Sequence, residues 1–478
     1  MKILFINPPI EYELKFPGPN KTWGQHEFAP PLGLMSLSAF LKREGYNSIE
    51  LINGQTPRGT SDGEILKKIQ EFSPNLVGIT VNSILHYNAM RIANLIKDYA
   101  QSTKIVIGGP HLTIYPVESV AQPYIDFGVV GEGEYTLIEL IKALEGDNDF
   151  SAVAGLVWKK DGEVVVNPAR KFSKSLDELP MPDHSLFDLK QHRIPFDEVS
   201  PTGVIISSRG CPYKCRFCSQ NYPYYRMRSA EIVVEEMFHY RDMGYKAVTF
   251  YDDIFNVSNQ RILRICSLLK ERGFDLPWSF RGRIDCFNES QAKAASEAGC
   301  YRIYFGVESG CNDTLEKMNK KITVEQSRQA FSLTKKYGIA TVAYFIVGFP
   351  GESIEQAKKT VRFAFELNPD YVVFQTLVPA PGSEIYDQAV AEGAFPDYGR
   401  EAAMNPKPNL EMRTWETTMT EKEMFSIMRG ALLRFYFRPS YIFKSLRRVG
   451  GLEDILVKGR MGIQLFGRLI KSVGDKSL

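Results

Sequence analysis

The sequence predicts an α/β protein: a doubly wound parallel sheet, then a partial (β/α)6 barrel, then a helical C-terminal extension. Three observations predict it. Five β-rich runs alternate with amphipathic stretches over residues 1–146. A unit of helix, glycine and strand recurs through residues 203–394. Past residue 395 the chain turns to basic, aromatic-rich stretches of helical character. A chain of 478 residues exceeds one core, so domains of about 100–200 residues are expected. With 44% hydrophobic and 24% charged residues it reads as globular, and a net charge of +2 lacks the basic excess of a nucleic-acid-tracking protein. The opening "MKILFINPPI" reads as a first strand rather than a signal peptide. No apolar run approaches the roughly 18 residues of a membrane span; Ala340–Phe349 comes nearest and reads as a buried strand. A cytoplasmic location follows as the expectation, with the seven cysteines as reduced thiols.

In residues 1–146 the runs "KILFI", "SIEL", "LVGIT", "KIVIG" and "FGVV" alternate with helical stretches, which demands a parallel sheet covered on both faces. Ligands of such sheets sit at the carboxyl ends of the strands. Thr80 ends the third run, "GGPH" (Gly108, Gly109, Pro110, His111) begins at the end of the fourth, and "GEGE" (Gly131, Glu132, Gly133, Glu134) follows the fifth. Glycines there let a ligand approach the backbone closely, although each pair alone could be no more than a tight turn. Residues 147–202 read as a connector: two short β runs about Asp161-Gly162, then the proline-rich "DELPMPDHS".

In residues 203–394, helical stretches end at Gly244, Gly273, Gly299 and Gly338, each followed by a β-rich run. Glycine just past a helix end is a left-handed cap. With "GVIIS" before and "YVVFQT" after, six βα units result, two short of a closed eight-stranded barrel. Polar residues gather where these strands end: Asp252 and Asp253, Asp285, Glu308, and Glu352.

The loop after the first barrel strand reads "SRGCPYKCRFCSQN", with Cys211, Cys215 and Cys218 at C-x3-C-x2-C spacing. A structural zinc site needs a fourth Cys or His close by, and none stands there. An iron–sulfur cube held by three thiolates leaves one iron open, which suits a substrate ligand. The remaining Cys266, Cys286, Cys300 and Cys311 are scattered singly and read as small core residues.

"CPYKCRFC", with an aromatic residue before the last cysteine, resembles the signature of the radical S-adenosylmethionine (radical SAM) superfamily; "FYDDIF", "FGVESG", "GFPGES" and "PAPGSEIYD" follow in the order of its further motifs. The first block, with "APPLGL", "GGPH" and "GEGE", resembles the Rossmann-like cobalamin-binding domain of the cobalamin-dependent class. The resemblance implies that Cys211, Cys215 and Cys218 hold a [4Fe–4S] cluster whose open iron chelates SAM, and that an external one-electron reductant triggers cleavage of SAM to a 5′-deoxyadenosyl radical. It implies SAM contacts at Glu308 and Ser309, Arg283 as partner of the SAM carboxylate, and Asp252 and Asp253 toward the SAM amine or the substrate. Thr80, Gly108, Gly109, His111, Gly131, Glu132 and Gly133 are the implied cobalamin contacts. The cobalt-ligating string D-x-H-x-x-G is absent, because Gly109 precedes His111 by two; His111 therefore reads as a loop residue and not as a cobalt ligand.

Residues 395–478 form the extension. From Ala431 onward ten Lys/Arg stand against three Asp/Glu, interleaved with "LLRFYF", "YIFKSL" and "GIQLFGRLI". The bland reading is a helical cap on the barrel; the other is peripheral contact with an anionic membrane, which would suit a lipid-like substrate. Three functions stay open: a cobalamin-dependent radical SAM methyltransferase acting at an unactivated carbon or phosphorus of a small-molecule or lipid-like substrate, a radical SAM cyclase or rearrangement enzyme with the same domains, and a metal-binding module without catalysis.

Overall fold

Residues 1–10, 30–56, 59–187, 199–219, 224–408 and 412–447 are described by the structure, a computed structural model. The first sheet contains β1 (Ile3–Asn7), β2 (Ile49–Asn53), β3 (Leu76–Thr80), β4 (Lys104–Gly108), β5 (Phe127–Val129), β6 (Leu156–Lys160) and β7 (Glu163–Val166), ordered β2-β1-β3-β4-β5-β6-β7. The five predicted strands β1 to β5 all run parallel, so their carboxyl ends share one edge. Alternate residues of β1 serve opposite faces. Leu4 and Ile6 pack with Ile92 and Ile96 of the helix His86–Tyr99, while Ile3 and Phe5 pack with the helices Leu32–Arg43 and Glu134–Glu145. A strand buried on both faces must be apolar throughout, which is why no alternation marks it.

The hairpin around Asp161-Gly162 is not a separate connector. Both residues take positive φ (52° and 86°), which fits a tight hairpin turn, and β6 adds antiparallel to β5. Aromatic contact draws it there: Phe150 packs edge-on against Phe127 and Trp158, at 4.9 and 5.4 Å between ring centroids.

The second sheet begins with β8 (Thr202–Ile205). The ribbon β9 (Ser208–Arg209) and β10 (Arg226–Met227) follows, and then β11 (Ala247–Phe250), β12 (Trp278–Gly282), β13 (Cys300–Glu308), β14 (Ala340–Val347) and β15 (Tyr371–Thr376). Its order is β15-β14-β13-β12-β11-β8, with every neighbour parallel, which is the six-stranded partial barrel expected. Gly244, Gly273, Gly299 and Gly338 all take positive φ behind their helices, as left-handed caps do. Trp278, Phe280, Phe305, Phe345 and Phe374 face outward into the helical shell. Their neighbours along each strand therefore face the lumen.

The extension's helix Glu421–Tyr436 buries Met424, Met428, Leu432 and Phe435 in that same core, and Tyr436 Oη donates to Val372 O at 2.7 Å. This part is a barrel cap. The stretch "GIQLFGRLI" lies outside the described residues. Among the described residues no helix is long and apolar enough to cross a membrane. The two units are joined where Tyr115 Oη donates to Asp397 at 2.9 Å and Gln122 donates to Ala403 O at 3.0 Å.

Candidate active site

The cysteine loop is braced from below. Past the end of β8, the Ser207 N–H and Oγ–H each donate to Asp252 at 2.6 Å, and Ser208 Oγ–H donates at 2.7 Å. Asp252 is buried, and burial pushes its carboxyl up while Arg261 and the two serines offset it. Arg261 in turn donates to Arg228 O (2.8 Å) and Ser207 O (3.1 Å). Asp252 thus holds the loop root rather than reaching a ligand; its neighbour Asp253 lines the cavity instead. Gly210, with φ of 84°, turns the chain from β9 into Cys211. Cys211 and Cys215 are half-buried and Cys218 exposed, and Cys218 N–H closes a turn on Cys215 O at 3.1 Å. Although Cys218 is exposed as a whole residue, desolvation of its thiol, then the neighbouring Cys215 and Asp253, pushes that thiol up to about 11. Three thiols on one short loop suit an iron–sulfur cluster by their chemistry, although among the described residues no three ligating side chains are gathered closely enough to hold a single metal ion.

Arg283 is clamped beside this loop. Its guanidinium donates to Asp285 at 2.8 and 3.2 Å and to Lys320 O at 2.6 Å, lies 3.8 Å from Cys215 Sγ, and stacks 3.5 Å from the Tyr213 ring centroid. It faces the cluster loop with its fork already in use. Tyr213 Oη lies 3.0 Å from Cys286 Sγ, so Cys286 belongs to the site's wall, whereas Cys266, Cys300 and Cys311 are buried.

Glu308 ends β13 in a left-handed conformation (φ 64°), where the register with β14 slips between Gly306 and Glu308. The bulge swings its carboxylate onto Lys320, Oε1 to Nζ 2.7 Å, both side chains 9% exposed. Gly306 makes the room: a Cβ there would stand 2.3 Å from Glu308 Oε1 and 2.9 Å from Lys320 Nζ. Lys320 also lies 5.8 Å from the ring centroid of Phe217, the aromatic residue before Cys218. Sequence reasoning missed Lys320; its only signal was "NKK" in the loop after a helix. Ser309 is turned elsewhere, its Oγ lying 2.9 Å from Thr360 Oγ1 and accepting from Cys311 N–H at 3.1 Å. Glu352 is a buried brace that accepts from Gly348 N–H at 2.8 Å, its carboxyl raised to about 7 by burial.

Across from this mouth stands the edge of the first sheet. Thr80, Gly108, Gly109, Gly131, Glu132 and Gly133 line one side of a cavity of about 560 Å3, and Ser208, Arg209, Gly210, Tyr251 and Asp253 the other. That volume is ordinary for a small-molecule site. Gly131 (φ 78°) has no heavy atom nearer than 3.9 Å to where a Cβ would stand, and Gly108 none nearer than 3.8 Å, so both leave open surface. Gly109 differs. At φ of 124° its Cβ would sit 2.5 Å from Val81 O, so the chain itself requires glycine there.

His111 points away from the cavity. It is fully buried, its Nδ1 3.1 Å from Ser83 Oγ and its ring 4.3 Å from that of His86, and burial lowers it to about 4. Glu132 is also occupied. It pairs with Arg209 at 3.0 Å and with Arg226 at 2.5 Å, while Glu134 pairs with Arg209 at 2.6 Å. Burial alone would raise the Glu132 carboxyl, but the two guanidiniums more than offset it and hold it low. "GEGE" is therefore both half of a glycine cradle and one jaw of a clamp on the strand that leads into Cys211.

Residues 205–364 match the radical SAM superfamily, and residues 26–141 match the B12 binding domain. An uncharacterized methyltransferase of Pyrococcus horikoshii is 34% identical over 93% of this chain and 95% of its own. The anaerobic magnesium-protoporphyrin IX monomethyl ester cyclase of Rubrivivax gelatinosus is 28% identical over 81% of this chain and 70% of its own. In fold, the chain resembles the radical S-adenosylmethionine methyltransferase TsrM from Kitasatospora setae, solved with cobalamin and a [4Fe–4S] cluster. That likeness has a TM-score of 0.71 at 20% identity and covers 92% of this chain and 90% of that one.

Proposed function

This chain belongs to the radical SAM superfamily and carries a B12-binding domain ahead of its barrel; from that premise we propose that it is a cobalamin-dependent methyltransferase acting on an unactivated carbon or phosphorus centre of a small molecule. One observation carries the reading: the glycine edge of the first sheet and the barrel residues Ser208, Arg209 and Gly210, which lead directly into Cys211, face each other across a single cavity. Chemistry that hands a methyl group from one cofactor to a substrate activated by another needs that juxtaposition.

Cys211, Cys215 and Cys218 are the residues to hold the cluster, and the open surface at Gly108 and Gly131 suits the flat face of a corrin. When bound, the cluster supplies the electron that cleaves SAM and the cobalamin supplies the methyl group. The protein's own contribution is placement. The Glu308–Lys320 pair presents one charge of each sign beside the cluster loop, matching the ammonium and carboxylate of SAM's methionyl end. Arg283 places a guanidinium against Cys215, where it lowers the cost of gathering negative sulfur ligands. The Glu132–Arg209–Arg226 clamp keeps the two edges in register.

Anaerobic incubation of reconstituted protein with methyl-labelled SAM, a one-electron reductant and candidate substrates tests the reading. Label in the product, with both 5′-deoxyadenosine and S-adenosylhomocysteine, is expected. Deoxyadenosine alone, with no homocysteine product and no labelled methyl, would refute the methyltransferase and favour the cyclase chemistry of the Rubrivivax relative.

A further inference from the structure

The barrel lumen holds a cation with no carboxylate partner among the described residues. β12 sends Trp278 and Phe280 outward into the helical core, which turns Ser279 and Arg281 inward. The Arg281 guanidinium lies 3.5 Å from the ring centroid of Tyr251 and 5.6 Å from that of Tyr304. Its Nη1 is buried without a hydrogen-bond partner, and the groups that act on its charge, after burial itself, are Tyr251, Tyr344 and Tyr304. The other cations of this mouth are answered: Arg209 by Glu132 and Glu134, Arg283 by Asp285, and Lys320 by Glu308. Asp253, two residues past Tyr251, acts on Cys211 and Cys218 and so lies on the cluster side.

A guanidinium taken out of water loses its hydration, and aromatic faces return only part of that loss. The planar fork is suited to two parallel hydrogen bonds from one oxyanion. Arg281 does not itself line the cavity between the two domains; it lies directly behind the ring of Tyr251, which does. Its register partner Tyr304 is four residues before Glu308 on β13, so the Arg281 backbone lies further from the strand ends than the Glu308–Lys320 pair.

We propose that Arg281 anchors an oxyanion of the substrate, a carboxylate or a phosphate-type group, in the lumen beneath the SAM site. Naming this ligand a substrate rests on the methyltransferase reading; the anion site itself rests on the residues. The test is calorimetric titration of cluster- and cobalamin-loaded protein, in phosphate-free buffer, with methylphosphonate, acetate and the uncharged acetamide. The two anions bind and acetamide does not; Arg281→Met weakens anion binding by about 10- to 100-fold, and Arg281→Lys by less. Iron and cobalamin contents stay at wild-type level in both variants, which reports an intact fold. Equal anion binding by wild type and Arg281→Met, or acetamide binding as well as acetate, overturns the proposal. Should Arg281→Met fail to retain iron, protection of Arg281 from phenylglyoxal by methylphosphonate in the unaltered protein decides, and absence of protection overturns it. Methyl label reaching a product while Arg281 ignores anions removes this proposal and leaves the methyltransferase standing; Arg281-dependent anion binding without methyl transfer does the reverse.

Discussion

Replacing Glu132 by Gln keeps the shape of the side chain and removes the charge that joins the two halves of the site. In the structure that carboxylate, 11% exposed, accepts from Arg209 and Arg226, whose side chains are 22% and 10% exposed. Removing one partner of a buried pair costs about 3–5 kcal/mol. Here Arg209 keeps Glu134 and Arg226 keeps Ser173 O at 2.9 Å, so the cost falls below that range, to about 2–3 kcal/mol. At 1.4 kcal/mol per decade this raises the open population of the seam about 30- to 150-fold. Hydrogen exchange of the amides at 131–134 and 208–211 should accelerate to match, while exchange in β13 and β14 stays unchanged. Iron content should be retained, since no cysteine is touched, and methyl transfer should fall more than SAM cleavage. Glu231→Gln, which breaks an exposed pair with Arg264, serves as the control and should do nothing measurable. Exchange at the seam within twofold of wild type would show that the clamp carries no register and that packing at Tyr115 and Asp397 suffices.

Replacing Cys211, Cys215 or Cys218 by Ala should abolish both bound iron and SAM cleavage, whereas Cys266→Ala, remote and buried, should keep full iron; iron analysis after anaerobic reconstitution decides. Gly109→Leu should unfold or strongly destabilise the first domain, because its Cβ meets the Val81 backbone, so Gly108→Leu is the informative probe of the cradle: loss of cobalamin titration with an unchanged melting temperature. Acid should destabilise the fold through buried imidazoles. His111 and His184 take up protons only near about 4 when folded but near 6.5 when unfolded, so the unfolded chain holds more protons between these values. Stability is then full above about 6.5 and falls as pH drops toward 4, by up to about 3 kcal/mol per site, and His111→Asn should flatten that acid limb in denaturant titrations. Glu308→Ala should weaken SAM cleavage while cobalamin stays bound, and Glu308→Ala with Lys320→Met should recover stability, but not cleavage, by removing the orphaned buried charge.

What could be read in the sequence was what is local in the chain. The cysteine spacing, the four capping glycines and the six strand runs are all encoded within a few residues, and the glycines and strands are found where they were expected. Direction of a side chain is another matter. "YDDIF" marks a strand end rich in carboxylates, but which aspartate faces in depends on a strand's period of two and on Ser207 and Ser208, more than forty residues earlier. Asp252 became the brace and Asp253 the cavity residue for that reason. Glu308 was legible as a strand-end carboxylate; Lys320, its partner, was not, because only the bulge after Gly306 brings the two together. Glu132 and His111 show what a loop motif leaves open. Both sit in glycine loops that line the cavity, yet one is spent on Arg226, 94 residues away, and the other is turned under the loop onto Ser83.

The clamp also explains why a polar seam is used where an apolar one could be as stable. Hydrophobic replacement of a buried ion network is often neutral or stabilising, so stability alone does not account for it. Apolar faces tolerate sliding, whereas a carboxylate shared by two guanidiniums has one geometry in which all three are satisfied. Arg209 is separated from Cys211 by Gly210 alone, and Glu132 stands between the two cradle glycines Gly131 and Gly133. A slip at the seam would therefore move the cysteine loop against the glycine edge by nearly the same distance, since only a residue or two intervenes on either side. Proximity effects are lost over about 1 Å of misplacement. The fold has thus put a geometry-demanding contact at a place where an error would pass nearly undiminished to both halves of the site.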